Sequence, residues 1–221
     1  MLSGEGGPER ALTAVHSVNS MLVDQELGIV KLFTPPFDKT AHDPGYIRSY
    51  PPGVRENGGP YTHGAIWFVL ALAELGLADE AWRCFSMINP VNHALDQAAA
   101  DRYRVEPYVV AADIYSVGAL AGRGGWTWYT GSAGWLYRCA VEGILGLRKQ
   151  GRKVSLKPAL PKAWNGFAVT LKLGKSSYRI AVERDTSVSE PVLEIDGTKR
   201  QGTAFELLDG GGEVQVKLRL P

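Results

Sequence analysis

The chain has 221 residues, 45% hydrophobic and 21% charged, with a formal net charge of +1, which is enough apolar material for one large or two small domains. No Lys/Arg cluster alternates with aromatics, so nucleic acid is not an expected partner, and no apolar run approaches the ~20 residues of a membrane span. The opening residues MLSGEGGPER carry no leader pattern, and Cys84 and Cys139 lie in apolar contexts without metal-type spacing to the four histidines, so reduced core cysteines, no bound metal and a cytoplasmic location are expected.

Residues 8 to 23 follow Gly6-Gly7, open with Pro8 and keep Ala11, Leu12, Val15, Val18 and Leu22 on one side, the pattern of a helix. From Gln25 to Gly59 the periodicity disappears and prolines stand at 35, 36, 44, 51 and 52. A loop of that length is functional or disordered, and Phe33, Phe37, Tyr46 and Tyr50 argue for an ordered one. His63 to Leu77 is apolar on nearly every face until Glu74, as in a helix buried all round, and Ala78 to Ile88 reads as its amphipathic partner. Further helices are expected over Pro90 to Tyr103 and Tyr108 to Leu120. Alternating buried and amphipathic helices joined by long loops suggest part of a helical toroid.

The stretch Gly122 to Trp135, GRGGWTWYTGSAGW, holds three of the six tryptophans. Glycines let backbone approach a ligand or other backbone, and indole and phenol rings offer flat apolar faces on which sugar rings stack, so a carbohydrate cleft is one reading and a glycine-rich core corner the other. A helix is expected from Ser132 to Lys149, with Leu136, Ala140, Ile144 and Leu147 on one face; Thr130 and Gly131 then fall at an N-terminus, where free N–H groups seat an anion. After Gly151 the period changes to two. Segments 153 to 157, 167 to 172, 177 to 183, 191 to 195 and 213 to 220 alternate between turn signals, as short antiparallel strands do. The expected fold class is therefore α+β in two parts: toroid helices over residues 1–150 and a small antiparallel, sandwich-like β domain over 151–221.

Three motifs carry a resemblance: GVRENGGPYTHGAIW at 53 to 67, EPYVVAADIYS at 106 to 116, and GRGGWTWYTGSAGW at 122 to 135. In this order, over roughly residues 45 to 183, they resemble glycoside hydrolase family 94, the inverting phosphorylases of β-linked glucosides, which include cellobiose and chitobiose phosphorylases. The likeness is nearest to the C-terminal domain of the cyclic β-1,2-glucan synthases. It implies an (α/α)6 barrel followed by a β domain, and a glycosyltransferase that uses inorganic phosphate as co-substrate, without a cofactor, to release α-glucose 1-phosphate. It also implies that His63, Thr130 and Gly131 bind phosphate and that Glu56, in the Arg55-Glu56-Asn57 triplet, bonds sugar hydroxyls. Glu106 is a second carboxylate expected at the cleft, Asp113 is either a cleft group or a buried structural acid, and Trp126, Trp128 and Tyr129 are candidate stacking or wall residues.

Inverting phosphorolysis needs a general acid for the leaving oxygen, while phosphate takes the place of water. The family's acid is an aspartate well upstream of the stretch matching His63, and only 62 residues precede His63 here. No catalytic residue is therefore assigned. The chain is expected to be the C-terminal portion of a larger enzyme, inactive alone. Its expected partners are a β-linked glucoside or oligosaccharide and the remainder of the same enzyme upstream, with a homodimer a further possibility. The competing readings are a noncatalytic carbohydrate-binding or structural module and a fragment of an (α/α)6 glycoside hydrolase. The loops carrying Glu56, His63 and Thr130 are expected to converge on one rim.

Overall fold

The computed structural model describes residue 2 and residues 5–221. It is an α+β protein in two compact units, one ending at Ala140 and one spanning Val141–Pro221.

The first unit begins with α1 (Gly7–Met21), which Pro8 starts with a pre-set φ and which buries Ala11 and Val15. Strands β1 (Val23–Asp24) and β2 (Ile29–Val30) form a small hairpin. Its turn is fixed by Asp24, whose carboxylate accepts the Leu27 N–H at 3.0 Å and pairs with Lys31 at 3.1 Å. The proline-rich loop that follows is ordered around one side chain. Asn57 is fully buried; its Oδ1 accepts the Phe37 N–H at 2.7 Å while its Nδ2 donates to the Tyr50 carbonyl at 2.7 Å. A single amide thus supplies partners to loop backbone that no ladder serves.

Helix α2 (Thr62–Glu74) is buried on nearly every side, through Ala65, Ile66, Phe68, Val69, Ala71, Leu72 and Ala73. Gly76, at a φ of 76°, turns the chain into α3 (Ala78–Ile88), which buries only the stripe Ala81, Cys84, Phe85 and Ile88. The single helix expected over 90 to 103 is instead a 3-10 turn, Pro90–Ala94, and a separate α4 (Gln97–Tyr103). Asp96 divides them: extended at φ −139°, it caps α4 by accepting the Ala99 N–H at 2.8 Å.

No helix forms over 108 to 120 apart from a 3-10 turn at Gly118–Leu120. Residues 110 to 114 form a non-helical strap that bends at Ala112, because their backbone groups find better partners across space than along the chain. Thr62 donates its N–H to the Ala112 carbonyl at 2.8 Å and its Oγ1 to the Ala111 carbonyl at 2.7 Å. On the other side the Ala112 N–H reaches the Trp126 carbonyl at 2.6 Å, and the Tyr129 N–H reaches that of Val110 at 3.0 Å. Val109, Val110 and Ile114 are β-branched, so side-chain preference and tertiary pairing agree. Asp113, 2% exposed, accepts the Trp126 N–H at 3.2 Å and lies flat against Gly125.

The expected helix from 132 to 149 is shorter and earlier. Helix α5 spans Thr130–Arg138 and runs into a π-helical turn, Cys139–Ile144. Gly146, at a φ of 65°, ends helical geometry, and Leu147–Gln150 is strand β3. Both cysteines are free and fully buried.

The second unit holds two sheets. Strand β3 pairs with β4 (Lys153–Leu156), and β4 with β9 (Ala204–Glu206). The larger sheet has the order β5 (Gly166–Leu173), β6 (Ser176–Arg184), β10 (Gly212–Leu220), β7 (Val192–Ile195), β8 (Thr198–Arg200). It is not wholly antiparallel as expected, since β10 runs parallel to β6 from Gly212 beside Ser176 to Leu220 beside Arg184. Alternation fixes which face of a strand is buried and carries no information on strand direction. Val154 and Leu156 from the smaller sheet share one core with Ile180, Val182, Leu193, Val216 and Leu218 from the larger. The Tyr178 hydroxyl pins the loop after β9, donating to the Leu208 carbonyl at 3.0 Å and accepting its N–H at 2.6 Å.

Two predictions test the Asp113 corner. A Cβ on Gly125 would stand 2.5 Å from Asp113 Oδ1 and 2.7 Å from Cγ, against a carboxylate too buried to swing away. Gly125→Ala should therefore cost about 1–3 kcal/mol, read as a lower urea midpoint at unchanged slope. Burial, partly offset by the Trp126 N–H and Arg55, raises the Asp113 pKa above its ordinary value of 3.8. A carboxyl raised by folding contributes stability below its unfolded pKa and loses it as pH rises through the folded one. Asp113→Asn, which keeps an oxygen for the Trp126 N–H, should thus gain stability relative to the unaltered chain as pH rises above the ordinary carboxyl value of 3.8. A flat or falling difference across a pH series of melts would contradict this.

Candidate functional site

The starts of α2 and α5 meet. Tyr61 precedes the first and Tyr129 the second, and their hydroxyls lie 2.6 Å apart with ring centroids 6.1 Å apart. That hydrogen bond, together with burial, pushes the Tyr61 phenol up to about 12, and the nearby Glu56 charge acts in the same direction. Neither helix start is capped by a side chain. Two N-termini therefore present amide groups and partial positive charge to the same neighbourhood.

His63 is the second residue of α2. Its ring stands edge-on to Trp67 at 5.0 Å and lies 6.0 Å from Trp135 of α5, and Arg138 places its guanidinium 4.9 Å above the Trp135 ring. Thr130 and Gly131, the first residues of α5, are exposed, whereas Ser132 is fully buried. His63 Nε2 and Ser132 Oγ are both out of solvent and without a hydrogen-bond partner.

Arg55 and Glu56 form the tip of a tight turn closed by the Asn57 N–H on the Val54 carbonyl at 3.0 Å, with Arg55 at a φ of 47°. The Arg55 guanidinium is held between the rings of Tyr50, at 5.5 Å, and Trp126, at 5.7 Å. Its Nε is 4.0 Å from Asp113 Oδ1, an attraction through space that is too long for a hydrogen bond. Arg55 Nε and Glu56 Oε2 are likewise buried and unpartnered. The charge of Glu56 is felt at both Tyr61 and Asp113, which locates the turn beside the start of α2. Four of the five such orphaned side-chain atoms among the described residues thus belong to Arg55, Glu56, His63 and Ser132; the fifth is Arg83 Nη1.

Of the remaining sequence candidates, Trp128 and Tyr129 adjoin this centre, whereas Glu106 is placed beside Tyr103 and is not brought to it. Trp128 is 63% exposed and Tyr129 makes the contact to Tyr61. Glu106 is exposed, and its charge acts on the buried Tyr103 phenol, which burial first of all pushes up to about 12. Sequence reasoning missed Tyr61, Ser132, Trp67 and the role of Asn57. Tyr61 and Trp67 stand inside the first quoted motif, and Ser132 directly follows Thr130-Gly131, so adjacency was the available signal. No helix among the described residues is long and apolar enough to cross a membrane.

Residues 1–146 match the family model described as the catalytic domain of the glycosyl hydrolase 94 superfamily. Among curated proteins the chain is 60% identical over 197 residues to the cyclic beta-(1,2)-glucan synthase NdvB of Rhizobium meliloti (strain 1021), covering 89% of this chain and 7% of that protein. It is 29% identical to the N,N'-diacetylchitobiose phosphorylase of Vibrio furnissii, covering 100% of this chain and 27% of that protein. It is 30% identical to the cellobionic acid phosphorylase of Neurospora crassa, covering 83% of this chain and 23% of that protein. The chain spans at most about a quarter of the length of these relatives. With the model matched across the whole first unit and the motifs folded around paired helix starts, the chain belongs to the glycosyl hydrolase 94 superfamily.

Proposed function

We propose that the first unit supplies the phosphate seat and part of the sugar wall of an inverting glycoside phosphorylase, acting on β-linked glucosides with inorganic phosphate to release α-glucose 1-phosphate. The observation that carries this is the concentration of orphaned polar atoms on Arg55, Glu56, His63 and Ser132 beside two uncapped helix starts. Desolvated polar groups without protein partners are costly, and a ligand rich in oxygens is what relieves them. Phosphate sits at the start of α5 on the Thr130 hydroxyl and the Gly131 N–H, with His63 as the side-chain donor from α2. Glu56 accepts from sugar hydroxyls, Arg55 keeps it in place, and Tyr129 borders the cleft. The five helices are part of an (α/α)6 toroid whose other helices, and whose general-acid aspartate, lie outside this chain. Relatives named as phosphorylases and as a cyclic glucan synthase support the reading.

Binding measurements on the 221-residue chain separate the two ligands. His63→Ala removes a donor to a charged partner, so the dissociation constant for inorganic phosphate should rise about 10- to 150-fold while sugar binding changes little. Glu56→Gln should do the reverse. A His63→Ala variant that weakened only the sugar would move the histidine out of the phosphate seat.

Because no positioned acid protonates the leaving oxygen, the chain alone should release no measurable glucose 1-phosphate from cellobiose or sophorose. General acid catalysis contributes ~10² to 10⁴ in rate, so its absence is readily visible in a coupled assay. Robust phosphorolysis would overturn the assignment of the acid to a segment outside the chain.

A further inference from the structure

Trp128 has a left-handed backbone conformation that neither a helix cap nor a hairpin turn accounts for. Among the described residues, four non-glycine residues have positive φ: Arg55, Arg104, Trp128 and Asp196. Arg104 caps α4, Asp196 begins the two-residue turn between β7 and β8, and Arg55 sits at the tip of the Val54–Asn57 turn. Trp128, at 57°, does none of these. It is the extra residue of a bulge. From Ala112 to Val110 the strap advances two residues, while its partner advances three, from the Trp126 carbonyl to the Tyr129 N–H. Bulges of this kind re-aim a side chain, and the left-handed position is one that glycine fills without strain. A tryptophan there is held at a cost, and such outliers gather at ligand sites.

The re-aimed indole does not enter the core, being 63% exposed. It meets Tyr108, which is 75% exposed, at a centroid distance of 6.2 Å and an interplanar angle of 74°. The two rings form an open right-angled corner. One residue on from Trp128 is Tyr129, and the next opens α5, so the corner continues the proposed phosphate seat along the chain. The neighbouring apolar residues Val109 and Val110 are buried, which leaves aromatic faces without the aliphatic knobs that a protein helix would seek. β-Linked glucopyranose carries its substituents equatorially, so each ring face is a patch of axial C–H groups suited to an indole.

We propose that Trp128 and Tyr108 form a distal subsite that holds one ring of a β-linked gluco-oligosaccharide, beyond the sugar bonded at Glu56; this rests on the reading that the cleft takes β-linked glucosides. The site makes affinity depend on chain length. The test is a tryptophan-fluorescence or calorimetric titration of the 221-residue chain with the β-1,2-linked disaccharide sophorose and the corresponding pentasaccharide. The pentasaccharide should bind about tenfold more tightly. Trp128→Ala and Tyr108→Ala should each collapse that ratio, and Trp128→Phe should restore part of it. Tyr108→Ala keeps the test valid if the strained position tolerates no change. Equal affinity for the two lengths in the unaltered chain, or an unchanged ratio in both alanine variants, overturns the subsite. A persisting length ratio combined with loss of the His63 and Glu56 contrasts would sink the phosphorylase reading and leave the subsite standing.

Discussion

Two helices from distant parts of the chain start side by side because both are hung from one non-helical strap. Residues 110 to 114 accept hydrogen bonds from Thr62 on one edge and Tyr129 on the other, and donate to Trp126. Without that strap the two N-termini would have no common reference, since the motifs they carry are separated by more than sixty residues of sequence. The Tyr61–Tyr129 hydroxyl contact at 2.6 Å then sets the separation at the side-chain level. Backbone pairing gives the coarse alignment and the phenol pair the fine one. Such a division suits a site whose polar groups must be within a few tenths of an ångström of their ligand.

The cost of this arrangement is visible in its polar accounting. Buried polar atoms ordinarily find partners, yet four of those without one belong to the two helix starts and the Arg55–Glu56 turn beside α2. Asp113 shows how the rest of the unit bears the load. It takes the Trp126 N–H, faces Arg55 and requires a glycine at 125, so one carboxylate fixes the loop before α5 and steadies the cation beside Glu56. Asn57 does the equivalent for the proline-rich loop. Two short polar side chains thus organise backbone that has no regular ladder of its own.

Much of this was legible in the sequence, for identifiable reasons. Helix α2 declared itself by apolar residues on every face, α3 by a stripe, and the strands of the second unit by strict alternation. The strap was not legible. Val109 to Ala112 is a short apolar run that periodicity cannot assign, and only contacts with Thr62 and Trp126 draw it away from a helix. The helix after Gly131 was drawn too long, because Leu147 continues a helical stripe while in fact beginning a strand behind Gly146. At the site, the motifs marked which stretches would supply candidates, whereas Tyr61 and Ser132 became visible only through a contact and a burial that spacing cannot express.

The parallel pairing of β10 with β6 has a consequence for how the second unit assembles. During synthesis β5 and β6 can pair as a hairpin, and β7 and β8 as another, as soon as each is made. Neither hairpin can join the other until β10 arrives between them, since β10 bonds to both β6 and β7. Until then each presents an open edge. Closure depends on a contact between residues more than thirty positions apart, the non-local kind that slows folding. The centre of the larger sheet thus rests on its least local pairing, and the two hairpin edges that β10 fills are where a wrong strand would compete with it.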